Sequence, residues 1–207
     1  MTRRLLGFAC ALLLLGGALV PALAADLKVA SVDMGKVTNG YTSLQDKSKE
    51  LQDWFTKQRA YLEKLVDHLF LSAESFNEVK TLLAADQPLP EDKQKRLKEL
   101  SDLATRDEDS YRALESKPDR TAQENETFKK MGDAYVAGQE RLATEQSKLS
   151  AEYGQRVTTA REDFMKKVMD VAEKIAKDEG YGLVLDSGVV LVGGTDITDK
   201  ILAKLNA

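Results

Sequence analysis

The chain has 207 residues, 31% charged and 43% hydrophobic, with 13 Gly, 4 Pro and 6% aromatic residues. Such a balance, rich in Ala, Glu, Lys, Leu and Arg, suits long exposed helices and argues against the large buried core of a compact α/β enzyme. Acidic side chains number 34 and basic ones 30, and the net charge of −4 offers no general attraction to a phosphate backbone, so nucleic acid is not the expected partner.

Thr2-Arg3-Arg4 precedes an apolar run from Leu5 to Val20, followed by Pro21 and the small-residue site Ala22-Leu23-Ala24. The apolar run is shorter than the ~20 residues a membrane span needs and ends in an A-x-A pattern, which predicts a secretory signal peptide over 1–24, cleaved after Ala24. Without Arg3 and Arg4 the mature chain carries 28 basic and 34 acidic side chains, a net of −6. The only cysteine, Cys10, lies inside the apolar run. A mature chain without cysteine excludes disulfides, thiol catalysis and cysteine metal sites.

Leu27 to Asp33 is a short segment with β-branched residues concentrated before Met34-Gly35 and reads as one strand, both faces of which are at least partly covered. Beyond Gly40 the period changes. Leu44, Leu51, Gln58 and Leu65 lie seven apart, as do Ser48, Phe55, Leu62 and Leu69, and this two-position seam predicts a helix from about Thr42 to Phe70. Ser72 is a fair N-cap for a short helix over Ala73 to Ala85. Asp86-Gln87-Pro88-Leu89-Pro90 stops it, and Pro90 with Glu91 and Asp92 opens the next, which runs to Lys117-Pro118. Asp119 to Asp178 contains no proline, and Phe128, Tyr135, Leu142 and Leu149 repeat every seven residues before the register shifts to Val157, Phe164 and Val171. This predicts one helix of roughly 90 Å, loosely packed far from its C-terminal end, where the partner row is Gly132, Gln139 and Gln146, and firmly packed near it.

Glu179-Gly180 ends that helix, and two apolar runs, Leu183 to Asp186 and Val189 to Val192, flank Ser187-Gly188 as a β-hairpin would. Thr195 is then an N-cap for a short amphipathic helix carrying Ile197, Ile201, Leu202 and Leu205. Strands at both ends share a sheet only if the middle goes out and returns, so residues 42–179 form an antiparallel helical arm, elaborated at about 72–130, on a body made of 25–41 and 180–207. The fold class is mainly α with a small β body of three short strands per chain. Val29, Val32, Leu183, Val184, Leu185, Val190 and Leu191 lack enough cover within one chain, and a second copy is the natural cover.

Catalytic chemistry has little to work with. The one imidazole, His68, lies beside the Leu65 and Leu69 seam positions, where a structural role outweighs that of a base or metal ligand. Gly188, Gly193 and Gly194 lack the lysine and spacing of a phosphate loop and read as turn residues. Neither an enzyme, a metal nor a cofactor is expected. Trp54, Phe55, Tyr61 and Phe76 sit near helical spacing; packing within the arm accounts for them, while a loosely presented inner face with Trp54, Phe55 and Tyr61 is the sharper alternative, a set of contacts for an extended apolar client.

The order of signal peptide, single strand, long helical arm, strand hairpin and terminal amphipathic helix resembles the Skp/OmpH family of periplasmic outer-membrane-protein chaperones. Two stretches carry the resemblance: Leu27 to Lys36, similar to the opening strand and its turn into the arm, and Ala172 to Ala176 through Gly182 to Asp186 to Asp196-Ile197-Thr198-Asp199-Lys200-Ile201-Leu202, similar to the end of the return helix, the hairpin and the closing helix. The resemblance implies a periplasmic homotrimer whose strands combine in one body, with three arms around a cavity that holds unfolded outer-membrane proteins without ATP. Well-known members are basic, whereas this chain is acidic, which argues against direct contact with membrane or lipopolysaccharide. The alternative function is a structural coiled-coil envelope protein acting as a spacer or docking partner.

Overall fold

In the computed structural model, which describes residues 27–207, strand β1 (Val29–Val32) is the centre of a three-stranded sheet, with β2 (Leu183–Asp186) on one side and β3 (Thr195–Asp196) on the other. The predicted leader and its cleavage site lie outside the described residues. Both outer strands run parallel to β1, with Val29 opposite Leu183 and Ala30 opposite Thr195. No tight turn can join parallel neighbours, so everything between β1 and β2 has to leave the sheet and come back.

Helices make the excursion: α1 (Met34–Gly40), α2 (Thr42–Val66), α3 (Ala73–Ala84), α4 (Glu91–Glu115) and α5 (Ala122–Glu179), with α6 (Thr198–Leu205) closing the chain. Most start on a side-chain cap or a favourable first turn. Asp33 accepts from the Lys36 N–H and Ser72 from the Ser75 N–H, while Thr121 and Glu124 form a reciprocal capping box. Gly180 ends α5 in the left-handed conformation, at φ 72°. The 58 residues of α5 span about 87 Å at 1.5 Å per residue.

Two separate cores lie along this length. The body core joins Ala30, Val32, Val37 and Tyr41 to Phe164, Val168 and Ile175 of α5 and to Tyr181, Ile197 and Ile201. The distal core joins Leu65 of α2, Leu71, Phe76, Val79 and Leu82 of α3 and its entry, and Leu100 and Ala104 of α4, with Leu142 of α5 packed against them. Contacts along α5 trace the path. Arg141 donates to the Leu71 carbonyl at 2.7 Å, Lys80 pairs with Glu145 at 2.7 Å, and Tyr111 stacks on Phe128 at 4.8 Å. The outgoing chain is therefore a Z: α2 runs outward, α3 doubles back, and α4 runs outward again to the tip.

Four expectations are corrected by the structure. Val189 to Val192 is not a strand and there is no hairpin: a two-residue hairpin turn needs positive φ, but among the described glycines only Gly180, Gly193 and Gly194 have it, and Ser187–Val189 forms a 3-10 turn, with Asp186 accepting from the Gly188 N–H at 2.8 Å. Gly193 and Gly194 instead swing Thr195-Asp196 alongside β1, so Thr195 is a strand residue and α6 begins at Thr198. The first long helix stops at Val66 rather than Phe70, because His68 and the turns after it bend the chain into α3. Packing is not loosest at the distal end, where Phe70, Tyr111, Phe128 and Tyr135 stack together; the exposed run of α5 is 150–159, between the two cores. Helix α1 went unforeseen, although Asp33 is a recognisable cap for it.

The closest backbone approach in the arm is at Gly138, where a Cβ would lie 2.7 Å from the Leu69 carbonyl carbon and closer still to its oxygen. Gly138→Ala gains helix propensity but forces α5 away from the bend that ends α2. The expected outcome is a net loss of about 1–2 kcal/mol, read as a lower Tm in thermal circular dichroism. An unchanged or higher Tm would show that the bend gives way freely.

Candidate functional site

Apolar surface left open on the body and the base of the arm forms the candidate site. It follows from the topology: β1 is sandwiched, but the outer edges of β2 and β3 have no neighbour among the described residues. Between α5 and β2 runs a groove of about 610 Å³, lined chiefly by Met165, Met169, Ala172, Leu183, Val184 and Leu185. It continues up the arm as a second groove of about 600 Å³, where Leu44 and Leu51 of α2 face Tyr153, Val157 and Phe164 of α5. Met169 is 64% exposed and Met165 39%. Beside the sheet, Leu191 is 98% and Val192 94% exposed, in a stretch whose composition is that of a strand.

The residues expected at the oligomerisation body divide by depth. Val32 is buried in the body core, where it packs with Ile197 and Ile201 as part of the single chain's own interior. Val29, Val184, Leu185 and Val190 are half-buried, and Leu183 and Leu191 are exposed. The structure therefore brings Leu183, Val184 and Leu185 together along the groove and places Leu191 on the segment that follows. Met165 and Met169, which the sequence pattern does not single out, line the same groove. They line it together with Val168 of the same helix, and Met165 also borders the upper groove beside Phe164.

Trp54, Phe55 and Tyr61 do not form one surface. Arg156 covers the Trp54 ring at 4.4 Å, and Phe55 packs on Tyr153 with centroids 4.8 Å apart, so both belong to the α2–α5 seam while remaining half-exposed. Tyr61 lies against the distal core, where burial and the nearby Glu145 carboxylate push its hydroxyl pKa up. Burial of Glu145 opposes its ionisation, but hydrogen bonds from Lys80 and Lys148 outweigh this and hold the carboxyl below its ordinary range. His68 is buried: Nδ1 lies 2.7 Å from the Lys64 carbonyl oxygen and Nε2 2.9 Å from the Ser101 hydroxyl, a link from the end of α2 to α4. Both ring nitrogens are thus engaged inside the arm.

What fixes the body in place is the Asp196-Ile197-Thr198 segment. The Thr198 hydroxyl accepts from the Asp33 N–H at 2.8 Å and donates to Asp196 Oδ1, which also accepts from the Thr198 N–H at 2.9 Å. The Ile197 N–H donates to the Ser31 carbonyl at 2.9 Å. Those bonds from Thr198 depress the Asp196 pKa, with a smaller contribution from Lys36. One further tie comes from the end of the chain: Asn206 accepts from the Thr42 N–H at 3.0 Å and donates to the Gly40 carbonyl at 2.9 Å, capping α2 in place of its own first residue.

The family described as Outer membrane protein (OmpH-like) matches the chain over residues 72–205, from the start of α3 through α6. No curated protein matches it. No helix among the described residues is long and apolar enough to cross a membrane.

The Thr198 segment lies within the matched stretch and is open to a direct test. Thr198 is buried, and Thr198→Val strands the Asp33 N–H and one Asp196 bond, with an expected loss of about 1–3 kcal/mol. The depressed Asp196 pKa adds a pH dependence of known sign. Its stabilisation is complete above the ordinary aspartate value of 3.8 and is lost as pH falls through the lowered one. Thermal unfolding of wild type and Asp196→Asn between pH 6 and pH 2 should converge at the acid end; curves that stay parallel would remove Asp196 from the lock.

Proposed function

The chain belongs to the OmpH-like family, and on that footing we propose that it is an ATP-independent holding chaperone of the periplasm, which keeps unfolded outer-membrane proteins from aggregating. The observation that carries this reading is the amount of open apolar surface on so charged a chain: the two-part groove, with Leu191 and Val192 beside it. A spacer would saturate its seams; a holding protein keeps adaptable apolar surface in reserve, and the flexible thioethers of Met165 and Met169 suit it to clients of varied sequence.

We assign two roles to that surface. In the body, the free edge of β2 and the strand-like segment Val189 to Val192 supply the contact between copies, giving a trimer in which Val29, Leu183, Val184, Leu185, Val190 and Leu191 gain the cover that one chain withholds. Along the base of the arm, the upper groove with Tyr153 and Val157, flanked by the open edges of Trp54 and Phe55, holds extended apolar segments of the client by many weak contacts. Cleavage of the leader after Ala24 and export to the periplasm complete the proposal.

Two measurements test it. The mature protein at stoichiometric amounts should suppress light scattering from a diluted, urea-unfolded β-barrel protein, without nucleotide; unimpeded aggregation would sink the chaperone role. Leu191→Asp tests assembly without touching the fold, since that side chain is 98% exposed in the single chain. Burying an unpaired carboxylate between copies costs several kcal/mol, so the variant should give folded monomers in multi-angle light scattering. Persistent trimers would take Leu191 out of the interface.

A further inference from the structure

The net charge of the described chain lies entirely in the outer part of the arm. Residues 67–149, from the bend after α2 to the far half of α5, carry 18 acidic and 13 basic side chains, a net of −5. The remaining described residues, body and arm base together, carry 15 of each. Between these two regions the packing is at its weakest. The only buried residue of α2 is Leu65, and α5 has none between Gly138 and Phe164. Phe55 on Tyr153 and Trp54 under Arg156 are the notable side-chain pairs in that stretch, and Gly154 faces open space. An acidic unit is thus joined to a neutral body by two helices whose seam there is half-buried, without a fully buried side chain between Gly138 and Phe164 of α5. Long helices curve gently, since carbonyls on their solvent side tilt towards water, and here no fully buried side chain clamps the curvature.

We infer that ionic strength sets how far the arms of the assembled protein spread, through mutual repulsion of the distal units acting on this compliant neck. The inference rests on the trimeric assembly proposed above. Within a trimer, three distal units of like charge face one another, while the neutral bases exert no comparable force. At 10 mM salt the screening length is about 30 Å, comparable with the separations among long arms, and at 150 mM it shrinks to about 8 Å. Repulsion therefore opens the arms in dilute medium and fades in saline, so the cavity accepts bulkier clients when the surroundings are dilute.

Small-angle X-ray scattering of the mature protein, extrapolated to zero concentration at 10 and 150 mM NaCl, reads the spread directly, with light scattering on the same samples. The radius of gyration should fall as salt rises, because the screening length contracts from about 30 Å to about 8 Å. The variant Asp86→Asn, Asp109→Asn, Glu115→Gln, Asp119→Asn, Glu140→Gln neutralises five exposed carboxylates, brings the distal unit to zero net charge, and should hold the compact value at both salts. Trimers whose radius ignores salt overturn the inference and leave the assembly standing. A variant that still expands at low salt overturns the assignment to distal charge. Monomers by light scattering overturn the assembly and the inference together.

Discussion

Parallel pairing of Val29–Val32 with Leu183–Asp186 is the constraint from which the rest of the architecture follows. An antiparallel partner could have been reached by a short turn, and the chain would have closed on itself early. A parallel partner obliges the chain to travel out and back. Since the intervening sequence is charged and helix-forming, the journey is made as an arm whose length equals that of α5. The sheet is small and its two outer edges have no neighbour among the described residues, so it depends on the covering helices and on the Thr198 and Asn206 ties that clip α6 to the start of the arm.

Along the arm, stability is gathered in two places instead of being spread evenly. The body core and the distal core each have fully buried Leu, Ile, Val or Phe side chains, and the helices between them have none. The Z made by α2, α3 and α4 explains the second core: doubling back puts four chain segments in one cross-section, enough to bury Phe76, Leu65 and Leu100, where a plain two-helix coil would leave such residues half exposed. Most polar groups that reach this core are partnered, as His68 is by Ser101 and Glu145 by Lys80; the exception is Arg141 Nε, buried over the Phe76 ring while another nitrogen of the same guanidinium donates to Leu71.

Function in this molecule is a matter of surface left uncovered. Open apolar walls lie at the base, where the chain is electrically neutral, and the acidic excess lies at the far end of the arm. This separation is consistent with the holding role proposed above, in which the apolar base would supply affinity and the charged outer part would keep the arms soluble and apart. Nothing in such a site has to be placed to within a fraction of an ångström, which fits its construction from Met, Leu and Val side chains rather than from a polar constellation.

Heptad spacing, the caps at Ser72 and Gly180, the stop at Pro88-Pro90 and the proline-free run to Asp178 were enough to lay out most of the helices from sequence alone, because each depends on local backbone chemistry. The same holds for the out-and-back arm and for the match of the final Asp196-Ile197-Thr198 segment to its family. Pairing was a different matter. Val189 to Val192 has the composition of a strand, yet the edge of β1 is taken by Thr195-Asp196: Gly193 and Gly194 turn the chain with positive φ, and the segment after them is fixed by pairing with Ala30 and Ser31, more than 150 residues away. The groove likewise needed the tertiary structure. Met165 and Met169 look like any α5 residues in the sequence, and only the placement of β2 beside that face of the helix makes them a wall.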